Sequence, residues 1–140
     1  MRRGQKLGQH FLNAEWVARE LIASLSISHD EDILEIGPGR GALTQKLLET
    51  GATVVEIKKD QELVSHLQQE FAEAISRKKL ILQNADVRDF KPPEHNLQKG
   101  KYVLAANIPY YITGEIIRMF LEIEEAPRAM ALLIQKEVAQ

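Results

Sequence analysis

Two observations in the 140-residue sequence predict an α/β fold with a doubly wound, mostly parallel sheet. Short apolar runs typical of buried strands alternate along the chain with segments in which apolar residues recur at helical spacing. This alternation implies parallel strands joined by right-handed helical crossovers. Glycines or polar residues follow the predicted strands. Ligands of such sheets bind at the carboxyl ends of the strands. We therefore expect a ligand site at that edge.

The predicted strands are short and the predicted helices are amphipathic. The strands fall at residues 32–36, 53–57, 80–83, 102–106 and 129–134. Helices are predicted after Asn13, at residues 42–48 with Gly51 as the stop, around Leu63, Leu67, Phe71 and Ile75, around Ile116, Ile117, Phe120 and Leu121, and at residues 135–140. The fifth strand is expected to be buried on both faces, as strands of parallel sheets usually are.

The composition restricts the class of protein. Eighteen basic and 20 acidic residues give a formal charge of -2, so no global positive field marks a nucleic-acid-binding protein. Residues 1–13, with Arg2, Arg3 and Lys6, are predicted to form a basic arm before one domain at 14–140. The sequence has no cysteine, no apolar run of transmembrane length and no signal-peptide pattern, so we expect a cytoplasmic protein without a membrane partner.

A glycine turn lies directly after the first strand and directly before a helix. In this turn Gly37 and Gly39 are predicted cofactor-binding residues, because a side chain there would block a cofactor from approaching the backbone. Together with Ala42, the two glycines also satisfy the G-x-G-x-x-A pattern of dinucleotide sites. The turn alone therefore leaves the choice of cofactor open.

Acidic residues follow the next two strands. Glu56 ends the second strand, where a carboxylate can accept hydrogen bonds from both ribose hydroxyls of an adenosyl group. Lys58 and Lys59 come next, but Glu56 would repel the 2′-phosphate of NADP. Asp86, after the third strand, is predicted to accept a hydrogen bond from the amine of the cofactor's adenine.

The motif after the fourth strand, Asn107-Ile108-Pro109-Tyr110, indicates the chemistry. An adenine amine is a poor nucleophile because its lone pair is delocalised into the ring. The Asn107 carboxamide oxygen and the Ile108 carbonyl are predicted to accept from its two hydrogens, while Pro109 fixes a turn and Tyr110 offers a face to the extruded base. Such acceptors stabilise direct methyl transfer from a sulfonium, without a metal or a covalent nucleophile.

The combined pattern resembles the small-subunit ribosomal RNA adenine dimethyltransferases, a family with the fold of class I S-adenosylmethionine-dependent methyltransferases. The matching stretches cover almost the whole chain: 8–12, 35–44, 55–57, 84–86, 107–113 and 135–139. The resemblance implies S-adenosylmethionine as cofactor, with His10 and Leu12 closing its site. It also implies that Gly37, Glu56, Asp86 and Asn107 contact the cofactor and that Tyr110 stacks on the adenine.

The resemblance further implies dimethylation of two adjacent adenines during ribosome assembly, with the immature small subunit as partner. Loss of activity in bacterial members confers kasugamycin resistance. The chain departs from the family at Lys58, where an acid is usual, and we expect this lysine to reshape the ribose edge. Because members continue into further strands and a helical domain, we interpret the chain as a fragment of a monomeric protein. We expect the fragment to self-associate through its fifth strand and to methylate poorly.

Three alternatives stay open on the sequence. The large-subunit methylases of macrolide resistance share the glycine turn and the Asn-x-Pro-Tyr motif. The stretches at 8–12 and 135–137 favour the small-subunit type. A nicotinamide-dependent oxidoreductase fits the glycines but gives residues 107–110 no role. A non-catalytic RNA-binding descendant of the fold is disfavoured because Asn107 and Tyr110 are both present.

Overall fold

A computed structural model describes residues 15–37 and 41–135. In these ranges five parallel strands form one sheet in the order β3-β2-β1-β4-β5, which confirms the predicted doubly wound topology. The strands are β1 Asp32–Ile36, β2 Thr53–Lys58, β3 Leu80–Asn84, β4 Tyr102–Pro109 and β5 Ala129–Gln135. The helices are α1 at 15–25, α2 Ala42–Leu48, α3 Gln61–Glu70, α4 Ala72–Ser76 and α5 Tyr110–Glu122, with 3₁₀ turns at Val87–Asp89 and Pro92–His95.

Helices cover both faces of the sheet because the strands are apolar on both faces. On one face Ile33, Val54 and Val103 join a cluster with apolar residues of α1, α2 and α3. On the other face Leu34 and Val55 join a cluster that includes α5. Alternate residues of each strand point to opposite faces, so the two clusters share the same strands.

The parallel register brings the carboxyl ends of the central strands level. Ile36 of β1 pairs with Ile57 of β2 and with Ala106 of β4. The order reverses at β1, because β2 and β3 lie on one side of it while β4 and β5 lie on the other. The glycine turn therefore begins at the switch point, where ligands of doubly wound sheets bind.

Several predicted boundaries are wrong in detail. The long helix around residues 61–76 is broken at Phe71, whose backbone leaves helical geometry at φ -110° and ψ 31°. In α5 the buried residues are Thr113, Ile116 and Phe120. Leu121 is exposed because it lies on a different side of the helix from these three residues. Gln135 belongs to β5 instead of a helix, and residues 136–140 lie outside the described ranges.

The edge strand β5 is less buried than expected. Ala129, Ala131 and Leu133 are only partly buried against one cluster, and Met130 and Leu132 are only partly buried against the other.

None of the helices in residues 15–37 and 41–135 has the length and hydropathy that a membrane-spanning helix requires.

Candidate functional site

A cavity of about 580 Å³ opens at the carboxyl edge of the sheet. Its walls come from the ends of β1, β2, β3 and β4 and from the first turns of α5. Four of the predicted site residues line it: Gly37, Asp86, Ile108 and Pro109. The cavity also contains Lys58, Lys59, Arg88, Tyr111 and Glu115, so its rim carries charges of both signs.

Gly37 is required by a close approach of two backbones. It has a φ of +144°, and an added Cβ would lie 2.1 Å from the Asn107 carbonyl oxygen. Contacts below 3.0 Å are essentially never seen for real Cβ atoms. The glycine therefore lets the end of β1 press against the end of β4, a reason that the sequence analysis, which considered only the cofactor, did not identify.

A buried acidic cluster lies on the face of the sheet that α2 covers, opposite to α5. The Thr44 hydroxyl oxygen on α2 is 2.7 Å from Glu35 Oε1 and 2.6 Å from Glu56 Oε1. The two glutamates pair in register on β1 and β2 and are 4% and 0% exposed. Burial raises the pKa of both carboxyls, and the charge of Glu35 raises the pKa of Glu56 further.

Lys58 is the cation of this region. It is 5% exposed, and its ammonium donates a hydrogen bond to the Gly37 carbonyl. Its positive charge acts to lower the pKa of Glu35 and of Glu56, against the larger effect of burial. Lys58 thus ties the glycine turn to β2 and balances one buried negative charge.

Two buried oxygens at this edge lack a hydrogen-bond partner among the described residues, namely Glu56 Oε2 and Asn107 Oδ1. Unpaired buried acceptors are uncommon and cost free energy, so each is expected to have a function. They lie on strands that flank β1 on either side. Both are acceptors, as donors from a ribose and from an adenine amine require. Glu56 Oε2 therefore fits the ribose of the adenosyl cofactor that the sequence predicts, and Asn107 Oδ1 fits the amine of the target adenine.

Asp86 has a different environment. Its Oδ1 accepts from the backbone N–H of Arg88 at 2.9 Å and from Arg88 Nε at 3.1 Å. Its Oδ2 accepts from Arg88 Nη2 at 2.9 Å and from Lys59 Nζ at 3.4 Å. The hydrogen bonds from Arg88 hold the pKa of Asp86 well below its usual range. A carboxylate has about four lone-pair sites, so a ligand amine must displace one of these donors.

The Asn107-to-Tyr110 motif is strand and helix, without the turn that the sequence suggested. Asn107, Ile108 and Pro109 are the last residues of β4, and Tyr110 is the first of α5. Pro109 is tolerated there because the strand ends with it. Its carbonyl accepts from the Thr113 hydroxyl at 3.1 Å, which fixes the first turn of α5.

An exposed aromatic pair begins α5. Tyr110 is 53% and Tyr111 is 67% exposed, and their rings meet edge to face with centroids 6.0 Å apart. Tyr111 lines the cavity, whereas Tyr110 does not. The sequence analysis singled out only Tyr110, because the pattern Asn-x-Pro-Tyr stops there.

Sequence reasoning missed other residues and named some that cannot be placed. Glu35 and Thr44 were not assigned roles, although a glutamate inside an apolar strand is a signal that it is paired. Arg88 was also missed, two residues from the acid that it binds. The predicted site residues His10, Leu12 and Gly39 lie outside the described ranges.

Comparisons with known proteins show similarity to ribosomal RNA methyltransferases. The sequence profile described as ribosomal RNA adenine dimethylase matches residues 2–140. The chain is 37% identical over 134 residues to the ribosomal RNA small subunit methyltransferase A of Dehalococcoides mccartyi strain CBDB1, covering 96% of this chain and 45% of that protein. The chain spans about half the length of the curated relatives that it matches.

Two solved structures share the fold. A dimethyladenosine transferase from Plasmodium falciparum superposes with a TM-score of 0.68 at 24% identity, over 85% of this chain and 41% of that one. The 23S rRNA methyltransferase ErmE superposes with a TM-score of 0.66 at 24% identity, over 79% of this chain and 42% of that one. At these identities the structural likeness shows a common fold.

Proposed function

This chain belongs to the ribosomal RNA adenine dimethylase family, and on that premise we propose that it forms the cofactor-binding part of an RNA methyltransferase. The reaction is dimethylation of the exocyclic amines of two adjacent adenines in small-subunit ribosomal RNA. The immature small subunit in the cytoplasm is its partner. Curated relatives at 35–38% identity carry the small-subunit name, which favours this substrate over large-subunit RNA.

The observation that carries the proposal is the buried Asn107 Oδ1 near the end of β4, which has no hydrogen-bond partner in the part of the chain that the structure describes. It is an acceptor beside the switch point of the sheet, next to a cavity of about 580 Å³. The nicotinamide-dependent alternative assigned this oxygen no role. An amine methyltransferase gives it one, because an acceptor aimed at the amine stabilises the positive charge that develops on nitrogen.

The cofactor proposed for this site is S-adenosylmethionine, which supplies a methyl group on a sulfonium. Glu56 Oε2 is the acceptor for its ribose hydroxyls. Asp86 is the acceptor for the adenine amine once Arg88 or Lys59 has moved aside. Gly37 lines the cavity and lets the ends of β1 and β4 approach closely at this edge. The apolar wall from Ile57 and Ile108 excludes water.

At the acceptor end, Asn107 Oδ1 and the Ile108 carbonyl take hydrogen bonds from the target amine. Withdrawal of its hydrogens toward these oxygens localises the nitrogen lone pair for attack. Tyr110, exposed at the start of α5, presents a ring face on which the flipped adenine stacks. The first transfer replaces one of the two amine hydrogens. The monomethylated amine keeps the other hydrogen until the second methyl is added.

The test is labelled methyl transfer from S-adenosylmethionine to immature small subunits, large-subunit RNA and free adenosine. The assay uses two proteins. One is this chain alone, and the other is a fusion of this chain with the second half of the Dehalococcoides relative. Asn107→Ala should slow transfer by about two to three orders of magnitude and leave RNA binding nearly unchanged. The exposed Gln98→Ala is the matched control. Near-normal turnover of Asn107→Ala would remove Asn107 from the mechanism, and preferred methylation of large-subunit RNA would overturn the substrate.

A further inference from the structure

The cluster of Glu35, Thr44 and Glu56 contains fewer hydrogens than its contacts require if both acids are ionised. The Thr44 oxygen is within hydrogen-bond distance of both carboxyls, at 2.7 Å and 2.6 Å. A hydroxyl has one hydrogen and can donate it to only one of them. The other contact therefore needs a carboxyl proton donated to the Thr44 oxygen. A proton on one of the two glutamates satisfies both contacts.

The charges around the cluster lead to the same count. Among the described residues, the charged group that acts on both acids is Lys58 on β2. With one proton shared, the cluster carries one negative charge, which Lys58 balances. With no proton it carries two negative charges in a region that is nearly free of solvent. An unbalanced buried charge is costly, so the singly protonated cluster is favoured.

A second observation directs the cluster toward a ligand. Glu56 Oε1 is held by Thr44, while Glu56 Oε2 is buried without a partner among the described residues. The carboxyl is thus fixed at one oxygen and available at the other. Two adjacent hydroxyls of a bound ligand are the donors that such an oxygen lacks.

We propose that Glu35 and Thr44 are positioning residues for Glu56, and that the three side chains share one proton, which lies on Glu35 when a ligand's vicinal diol is bound to Glu56. This inference rests on the proposed cofactor. In the bound state Glu35 donates to the Thr44 oxygen and the Thr44 hydroxyl donates to Glu56 Oε1. If the proton starts on Glu56, it passes to Thr44 as the Thr44 hydrogen passes to Glu35. No proton leaves the cluster and its net charge is unchanged.

The first experiment is calorimetric titration of this chain with S-adenosylhomocysteine at pH 7, in two buffers that differ in ionisation enthalpy. We expect the same binding enthalpy in both buffers, because the proton stays in the cluster. Release of about one proton per ligand would overturn the proposal. Glu35→Ala should weaken binding by about tenfold or more, and Glu35→Gln should restore most of it, because its amide donates to Thr44 as a protonated Glu35 does. Equal losses in the two variants would also overturn it.

The second experiment needs no ligand. A carboxyl whose pKa is raised by folding stabilises the protein below its ordinary pKa, and this contribution is lost as pH rises through the raised value. Denaturant unfolding between pH 5 and pH 9 should therefore show Glu35→Gln gaining stability relative to wild type as pH rises, while the exposed Glu49→Gln shows no such trend. A constant difference would contradict the shared proton. Absent ligand binding by wild type would instead contradict the proposed cofactor, and this unfolding series would still test the cluster.

Discussion

Glu56 lies near the end of β2, Asp86 follows the adjacent strand β3, and both were predicted to bind the cofactor, yet they have opposite environments. Glu56 is 0% exposed, has one oxygen held by Thr44 and has the other oxygen unpartnered among the described residues. The Asp86 side chain is 19% exposed, and Arg88 and Lys59 already supply four donors to it. Burial raises the pKa of one acid, while the hydrogen bonds from Arg88 lower the pKa of the other.

This difference indicates which acid depends more on a ligand. A buried acceptor without a partner costs free energy until a donor arrives, so Glu56 gains most from binding. Asp86 is satisfied within the protein and must exchange one good partner for another. The two acids therefore should not contribute equally to affinity, although their positions in the sequence suggest equivalent roles.

The largest effect is expected at Gly37, which follows β1 beside both β2 and β4. Gly37→Ala places a Cβ 2.1 Å from the Asn107 carbonyl oxygen at a φ of +144°. We expect a loss of roughly 2–4 kcal/mol in unfolding free energy, together with loss of S-adenosylhomocysteine binding. Gly114→Ala is the control, because nothing lies within 4 Å of its added Cβ and alanine favours the helix. A Gly37→Ala variant as stable as wild type would contradict the close packing of β1 against β4.

Substitution of each acid by its amide tests the comparison itself. Glu56→Gln should lower the affinity for S-adenosylhomocysteine by roughly tenfold to a hundredfold, since a hydrogen bond to a charged group contributes about 1.5–3 kcal/mol. Asp86→Asn should lower it by less than about tenfold, because its partners in the free protein are also lost. Calorimetric titration of both variants measures the difference. Equal losses would show that burial does not set the contribution of these acids.

The smallest effect concerns the acid stability of the Asp86 ion pair. Because its pKa is lowered in the folded state, Asp86 stabilises the protein above its ordinary pKa, and this contribution is lost as pH falls through the lowered value. Wild type should therefore be slightly more stable than Asp86→Asn at pH 7, with the difference shrinking toward pH 2. Arg88→Ala should reduce the difference at pH 7 without abolishing it, because the backbone N–H of residue 88 and Lys59 still donate to Asp86. A difference between wild type and Asp86→Asn that does not change with pH would contradict the pairing.

The sequence predicted what depends on local pattern. All five strands lie where the apolar runs indicated, and Gly37 directly follows β1 as expected. The extension of β4 through Pro109 was missed because residues 107–110 were interpreted as a turn after the fourth strand. The pairing of Glu35 with Thr44 was missed because it joins β1 to α2 across the core, and no local signal reports which side chains meet there.

The site residues, too, were predicted correctly where local strand pattern decides their position and missed where contacts between distant residues decide it. Strand ends brought Gly37, Asp86 and Pro109 to one cavity as expected. Side-chain alternation then separated Glu56 and Asn107 from it, since their neighbours Ile57 and Ile108 line the cavity instead. That separation could have been deduced from the strand period. The donors that occupy Asp86 could not, because Lys59 and Arg88 reach it from different loops.

The carboxyl edge of the sheet is proposed to bind an adenosyl group without a pyrophosphate. Calorimetric titration of this chain with S-adenosylhomocysteine and with NAD under the same conditions tests this binding. We expect measurable binding of S-adenosylhomocysteine, weakened by Glu56→Gln, and no detectable binding of NAD. Tighter binding of NAD than of S-adenosylhomocysteine would contradict this proposal.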